Sequence, residues 1–381
     1  MQSLGCRACV RGRAAARRAL SSESPLRRLL RDAGARGEAA GAGELRWATT
    51  PYADRAAPLD AAPPAAAPQD AAVLLFPGQG AQFVGMGRRL EHTPKARDLY
   101  DLASSIVGWD VWRVCTAGPA AELERRVQVC VLSTSLAALE RAREERPGAV
   151  ERVRAAAGFS LGELGALVFA GALSLDAALR LAQLREAAMR AAAAERAGGM
   201  LTVWLAPDAR LGALLAAARE RARAPDLPEP VCEVANYLFP GCKVLAGDER
   251  ALRAVETEGR AWGVRRSARV RVAGAFHCAL MARAEAAVRE ALRALPVAAP
   301  RVPVVSCVDA RAVRGAEGAR RRLARLTAAP VRWEQTLHAL YARPRGTPQP
   351  LTLALGPGGA LRATLKLVNA PAWDASLQID V

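Results

Sequence analysis

The 381-residue chain has few lysines, histidines and aromatic residues. Of its 54 basic residues only Lys95, Lys243 and Lys366 are lysines, there are 3 histidines, and aromatic residues make up 4%. With aromatics this scarce and the arginines dispersed along the chain rather than interleaved with them, a base-stacking platform for nucleic acid is poorly supported. No apolar run reaches about 18 residues, so no membrane-spanning helix is indicated. Of the 8 cysteines, Cys6 and Cys9 form a C-x-x-C; the others, at 115, 130, 232, 242, 278 and 307, show no paired metal spacing. Reduced, buried thiols are expected, and no metal.

Acids are missing where the sequence starts. None precedes Glu23, and the first 50 residues carry ten arginines against four acids, with Ser21, Ser22 and Ser24 beside "LRRLLR". This reads as a mitochondrial transit peptide over residues 1–50, which predicts a matrix location; a disordered basic tail is the other reading. A secretory signal would need an unbroken apolar stretch, and "ACVRGRAAARRAL" is interrupted by charge. The formal net charge is +17, and removing the +6 of that segment leaves +11 (17 minus 6). Such a charge favours an acidic partner, whether nucleic acid, an anionic membrane surface, a phosphorylated cofactor or an acidic protein.

Residues 51–71, including "PLDAAPPAAAPQDA", read as a Pro/Ala-rich linker, and the folded part begins at "AVLLFPGQGAQ". At 51% hydrophobic residues the chain can bury a substantial core. Helical stretches such as "AELERRVQVCVLSTSLAALERAREE" and "DAALRLAQLREAAMRAAAAE" alternate with short apolar strands such as "VRAAAGF". This predicts an α/β fold with a mostly parallel sheet. Between 198 and 272 the order becomes β-α-β-β-α-β, the ferredoxin-like pattern. The expected organisation is a large domain, 72–197 and 273–381, with a small ferredoxin-like domain, 198–272, inserted in it.

In "GFSLG" the glycines Gly158 and Gly162 flank Ser160 where a strand turns into a helix. Such a turn exposes the hydroxyl and leaves the Leu161 amide at a helix N-terminus, able to stabilise an oxyanion. The pentapeptide alone fits a nucleophile and a helix-capping serine about equally. A serine nucleophile needs a base. His92 lies in polar "EHTPKARD" and His338 inside a helical pattern, whereas His277 follows an alternating strand and precedes a helix. Elimination favours His277, with a structural histidine as the other reading. "FPGQGAQ" lacks both phosphate-loop patterns but can add a backbone donor beside Leu161. Arg185, in "LAQLREAAMR", reads as a surface ion pair unless the substrate carries a carboxylate, which a guanidinium can clamp with two hydrogen bonds.

"FPGQGAQ", "GFSLGELGALVFAGAL", "LREAAM", "GGML", "CEVANYLFPGCKVLAG", "GAFHCALM", "PVRWEQT" and "LGPG" occur in the order found in malonyl-CoA:acyl carrier protein transacylases. The chain resembles that family over about residues 72–381, most of all its mitochondrial type. The resemblance implies an α/β-hydrolase-like large domain. It implies Ser160 as nucleophile, His277 as base, Gln79 and Leu161 as oxyanion-hole amides, and Arg185 as the holder of the malonyl carboxylate. It also implies that the main-chain carbonyl of Arg332 orients His277. "AFH" resembles the malonyl-selective form, where methylmalonyl-selective relatives have "ASH". Cys307 stands where an asparagine is usual, and Ala354 where a glutamate is common.

The implied reaction is a two-step transfer of malonyl from malonyl-CoA to the phosphopantetheine thiol of acyl carrier protein, serving mitochondrial fatty acid synthesis. It needs no metal or redox cofactor. A monomer is expected, without membrane attachment. Two rivals are a serine esterase or thioesterase, which shares G-x-S-x-G, and a non-catalytic basic matrix protein that binds RNA.

Overall fold

In a computed structural model, which describes residues 71–344 and 346–381, the chain forms two sheets. The transit-peptide segment and the linker up to residue 70 lie outside the described residues. The strands in chain order are β1 (Ala72–Phe76), β2 (Val153–Gly158), β3 (Gly198–Leu205), β4 (Cys232–Phe239), β5 (Cys242–Asp248) and β6 (Val264–Val270). They continue with β7 (Val304–Ser306), β8 (Arg311–Ala312), β9 (Val331–Arg332), β10 (Leu351–Ala354) and β11 (Ser376–Gln378). The helices that frame the site are α1 (Val127–Glu145), α2 (Gly162–Phe169), α3 (Leu175–Glu195), α4 (Leu211–Ala222) and α5 (Glu249–Glu258). Three more complete the frame: α6 (Ala282–Ala294), α7 (Trp333–Tyr341) and α8 (Ala360–Val368).

β1 is apolar and buried at every position. Ala72, Leu74 and Phe76 face one core, while Val73 and Leu75 face another. A strand buried on both faces belongs inside a sheet covered by two layers. The larger sheet accordingly runs β11-β10-β1-β2-β7-β8, parallel except for the last pair. One of its cores is filled from α1, α2 and α3. The other lies between this sheet and the second one, taking in Met200, Ala235, Val244 and Ala246 from β3, β4 and β5.

The second sheet runs β6-β3-β5-β4-β9. Its first four strands with α4 and α5 have the β-α-β-β-α-β order and the antiparallel pairing of a ferredoxin-like unit. Leu201 and Val203 of β3 pack on Leu214, Leu252 and Val255 of its two helices. β9 was not foreseen: Val331 and Arg332 pair in parallel with Asn236 and Tyr237, so the large part of the chain adds a fifth strand to the small sheet. Two residues carry no readable period. The helical stretch "AELERRVQVCVLSTSLAALERAREE" also divides, between the helix Ala120–Arg125 and α1, because Arg126 leaves the helical region at φ −127°, ψ 24°.

Between β2 and α2 the chain reverses with almost no clearance. A Cβ on Gly158 would stand 1.9 Å from the Gly162 carbonyl carbon, and one on Gly162 would stand 2.1 Å from the Phe76 oxygen of β1. Both contacts are with backbone, which has no free end to swing aside. Gly162→Ala should therefore cost about 3 kcal/mol of stability or more, as overpacking against a fixed wall does. Urea unfolding measures this, and a variant with an unchanged midpoint would contradict it.

Candidate active site

Ser160 stands in the turn after β2 with φ 51°, a left-handed conformation that a non-glycine residue adopts at a cost. His277, in the connection from β6 to α6, is likewise left-handed at φ 62°. Each side chain is held by burial, Ser160 being 7% and His277 6% exposed. Their strained turns bring Ser160 Oγ and His277 Nε2 to 2.9 Å across 117 residues of chain.

His277 Nδ1 lies 2.8 Å from the Leu326 carbonyl and 3.2 Å from that of Ala329. A carbonyl only accepts, so Nδ1 carries the proton and Nε2 is free to accept from the serine hydroxyl. The expectation for Arg332 is corrected here. Its carbonyl accepts instead from Thr336 Oγ1, at 2.8 Å, and its amide donates to the Cys307 carbonyl, at 2.7 Å. Arg332 is taken up by β9, so the orienting carbonyls come from the turn just before that strand. Burial first, and then the nearby Arg185 guanidinium, push the His277 pKa down to about 3. The imidazole is thus neutral in the free protein at any pH near 7.

Arg185 projects from the middle of α3 and is 5% exposed. Its Nη2 donates to Ser160 Oγ at 3.1 Å and its Nη1 to Gln128 Oε1 at 2.8 Å. Among the described residues no carboxylate pairs with it. Desolvation lowers its pKa to about 10, so it keeps its charge near neutrality. A buried cation with no carboxylate in ion-pair contact is costly, by several kcal/mol even after relaxation. The surface ion-pair reading does not describe this residue.

The loop after β1 lies against the serine turn. A Cβ on Gly78 would stand 2.4 Å from the Phe159 oxygen, so Gln79 follows a point of backbone contact with the residue before Ser160. Among the described residues neither the Gln79 nor the Leu161 amide donates to another protein group. Gln82 ties the loop down: its Oε1 accepts from the Gly80 amide at 2.6 Å, and its Nε2 donates to Glu124. Leu161 is the N-cap of α2, where an amide is left without a helical partner.

Three neighbours of the site escaped the sequence reading. Gln128 orients Arg185 and gives an Nε2 hydrogen to Met189 Sδ at 3.5 Å. Glu163, wholly buried in the first turn of α2, accepts from the Cys307 amide at 3.0 Å and from its thiol at 3.3 Å. Burial raises the Glu163 carboxyl to about 7 and keeps the Cys307 thiol protonated, so the cysteine can serve as a donor. The third is the Leu326–Ala329 turn. A period search could not single out Gln128, since it lies within an α1 that is buried along most of its length. His338 is on α7 and takes no part in the Ser160–His277 hydrogen bond, and His92 is exposed. The six cysteines from 115 onward are unbridged and buried. Among the described residues no cluster of metal-ligating side chains occurs and no helix is long and apolar enough to cross a membrane.

The chain matches the acyl transferase domain family over residues 73–347. It is 42% identical over 318 residues to the probable mitochondrial malonyl-CoA-acyl carrier protein transacylase of Drosophila melanogaster, covering 83% of this chain and 84% of that one. Against the mitochondrial malonyl-CoA-acyl carrier protein transacylase of Homo sapiens it is 40% identical, covering 82% and 81%. The crystal structure of malonyl-CoA:acyl carrier protein transacylase from Xanthomonas oryzae superposes with a TM-score of 0.73 at 30% identity, over 82% of this chain and 95% of that one. A malonyl-transacylase solved in complex with a type II PKS acyl-carrier protein gives 0.71 at 30% identity, over 79% and 94%. With a buried serine–histidine pair and a waiting guanidinium on an α/β frame, the chain belongs to the acyltransferase family, among the malonyl-CoA:acyl carrier protein transacylases of mitochondrial type.

Proposed function

We propose that this acyltransferase carries malonyl from malonyl-CoA to the phosphopantetheine thiol of acyl carrier protein through an ester on Ser160. The observation that carries this reading is the position of Arg185, 3.1 Å from the Ser160 oxygen and without a carboxylate partner among the described residues. In malonyl thioesters the free carboxylate is one methylene away from the reacting carbonyl, so the cation that holds it must stand next to the nucleophile. A cation more distant along α3 could bind the anion but not present the carbonyl.

Neutral His277 Nε2 takes the Ser160 proton as the oxygen attacks the thioester carbon. Negative charge on the carbonyl oxygen faces the Leu161 and Gln79 amides. Collapse breaks the carbon–sulfur bond, and coenzyme A leaves as a thiol with the proton from His277. The carrier thiol then gives its proton to His277, attacks the malonyl ester, and frees Ser160, which regains the proton. Each half-reaction returns the base to its neutral form. Both steps balance within the dyad and substrates, with no metal or redox cofactor drawn upon. The Leu326 and Ala329 carbonyls stand where an esterase would place an acid, and they favour a histidine that is steered without a fixed counter-charge.

The mitochondrial names of the animal relatives, with the arginine-rich segment 1–50, support a matrix enzyme of fatty acid synthesis. A positive protein suits an acidic carrier and the phosphates of coenzyme A. We take it to act as a monomer, without membrane attachment.

Incubation with radiolabelled malonyl-CoA should leave label on the peptide that contains Ser160, and Ser160→Ala should carry none; label elsewhere would refute the ester intermediate. Arg185→Ala removes two charge-assisted hydrogen bonds, about 3–4 kcal/mol, and should lower kcat/KM for malonyl-CoA roughly 100- to 1,000-fold while favouring acetyl-CoA in relative terms. An unaltered malonyl rate would rule out the clamp. The pH dependence has a definite sign. A base works when deprotonated, so a pKa pushed down to about 3 moves the acid limb of kcat/KM well below the ordinary imidazole range. Bound malonate offsets the Arg185 charge, so the acid limb of kcat should lie at higher pH than that of kcat/KM. A kcat/KM limb near 6.5 would contradict a buried, neutral base.

A further inference from the structure

Gln128 is gripped from α3 at three points. Its side-chain oxygen accepts from Arg185 Nη1 at 2.8 Å, its Nε2 reaches Met189 Sδ at 3.5 Å, and its backbone amide, with that of Val127, donates to the carboxylate of Glu186. The third contact falls where the chain is otherwise weakly held. Arg126 breaks the helical path, and α1 starts with no side-chain cap from its N-cap residue and no acid in its own first turn. The opening amides of a helix have no partner inside it. Among the described residues neither Val127 nor Gln128 donates its amide to a backbone carbonyl. Glu186, 9% exposed, supplies the missing acceptor from a neighbouring helix. One turn further along α3, Arg190 Nη2 donates at 2.5 Å to the carbonyl of Arg125, the last residue of the preceding helix, and stands 3.7 Å from Glu186 Oε1. An anion thus meets the start of one helix and a cation the end of the helix before it, the favourable sign at each terminus.

What this pair fixes is the direction of a charge. Gln128 holds one terminal nitrogen of the Arg185 guanidinium while the other reaches Ser160 Oγ at 3.1 Å, so the plane of the guanidinium depends on where Gln128 stands. A planar fork takes a carboxylate in one orientation, through two parallel bonds. Gln128 is the second residue of α1, and a helix end whose first amides lack acceptors is the part of a helix that gives way. A displacement of about 1 Å there is enough to misplace a positioned group at large cost. We propose that Glu186 and Arg190 are positioning residues: by holding the break at Arg126 against α3 they fix Gln128, and through it they aim Arg185 at the carboxylate of the acyl group. Their effect falls on the choice among acyl groups rather than on the serine–histidine step, which Ser160 and His277 make between themselves. The inference rests on the malonyl-transfer reading of Arg185 and adds to it the groups that aim the guanidinium.

The test is a ratio of two substrates. At pH 8, above the value of about 7 to which burial raises the Glu186 carboxyl, Glu186→Ala should lower the ratio of kcat/KM for malonyl-CoA to that for acetyl-CoA about tenfold, the size of a lost helix cap. Arg190→Ala changes a half-exposed side chain and keeps the test readable if Glu186→Ala fails to fold; it should lower the ratio about threefold. Glu186→Gln keeps an oxygen for the two amides and should bring the ratio back to within about threefold of wild type. Equal losses with both acyl groups, which a merely structural role would give, overturn the proposal, as do an unchanged ratio in the alanine variants and a glutamine variant as impaired as Glu186→Ala. A crystal structure of Glu186→Ala needs no turnover, and in it the contact between Arg185 and Gln128 should be broken. An intact contact refutes the positioning role. A broken contact in a protein whose wild type transfers no malonyl upholds that role and places the failure in the reaction reading instead.

Discussion

Gly162 comes so close to the Phe76 carbonyl that no side chain fits between them, and the fold around the site follows from that contact. It places the first turn of α2 directly against the end of β1. The serine turn and the loop carrying Gln79 are thereby pressed together, and Ser160 is forced into a left-handed conformation at the end of its strand. The strain is affordable because two well-filled cores fix β1 and β2 from both sides. A less buried strand pair would relax, and the hydroxyl would move away from His277.

Electrostatics add a second level of control. Arg185 is desolvated, keeps its charge and touches the Ser160 oxygen, so in the proposed transfer it acts on the base and on the substrate at once. Before substrate arrives it lowers the proton affinity of His277 and donates a hydrogen bond to the serine oxygen, which lowers that oxygen's nucleophilicity. A carboxylate that binds the guanidinium competes for that hydrogen bond and offsets its field. In the proposed transfer, binding energy from a group outside the reacting bond is thereby converted into a stronger base and a freer nucleophile. An acyl group without a carboxylate leaves both restraints in place.

Much of this was readable from the residues because the chemistry is concentrated in short segments. The G-x-S-x-G spacing and the few histidines singled out Ser160 and His277 as candidates, and the family resemblance implied roles for Arg185, Gln79 and Leu161. The mostly parallel sheet and its inserted β-α-β-β-α-β unit followed from alternation along the chain. What could not be read depends on contacts between distant backbone atoms. A carbonyl is present at every residue, so nothing marks Leu326 and Ala329 over Arg332 as the groups that reach His277. Gln128 looks like one more polar residue on a buried helix until α1 and α3 are seen side by side. Cys307 looked like a departure from the family pattern, yet as a hydrogen-bond donor to Glu163 it does work that an asparagine side chain could also do.

The two-residue strand β9 has a consequence for how such enzymes can be recombined. By pairing with Asn236 and Tyr237 it fastens to the small sheet the very turn whose carbonyls meet His277, while Ser160 remains fastened to the large sheet. The heritable module is therefore not the contiguous insertion alone. A chimera that imports a relative's small domain and keeps its own residues 326–332 would join a foreign sheet to a native steering turn, and any mismatch in register would appear as misalignment between serine and histidine. Grafting the two pieces together carries the alignment with them, which makes the active-site geometry a property of a discontinuous unit of sequence.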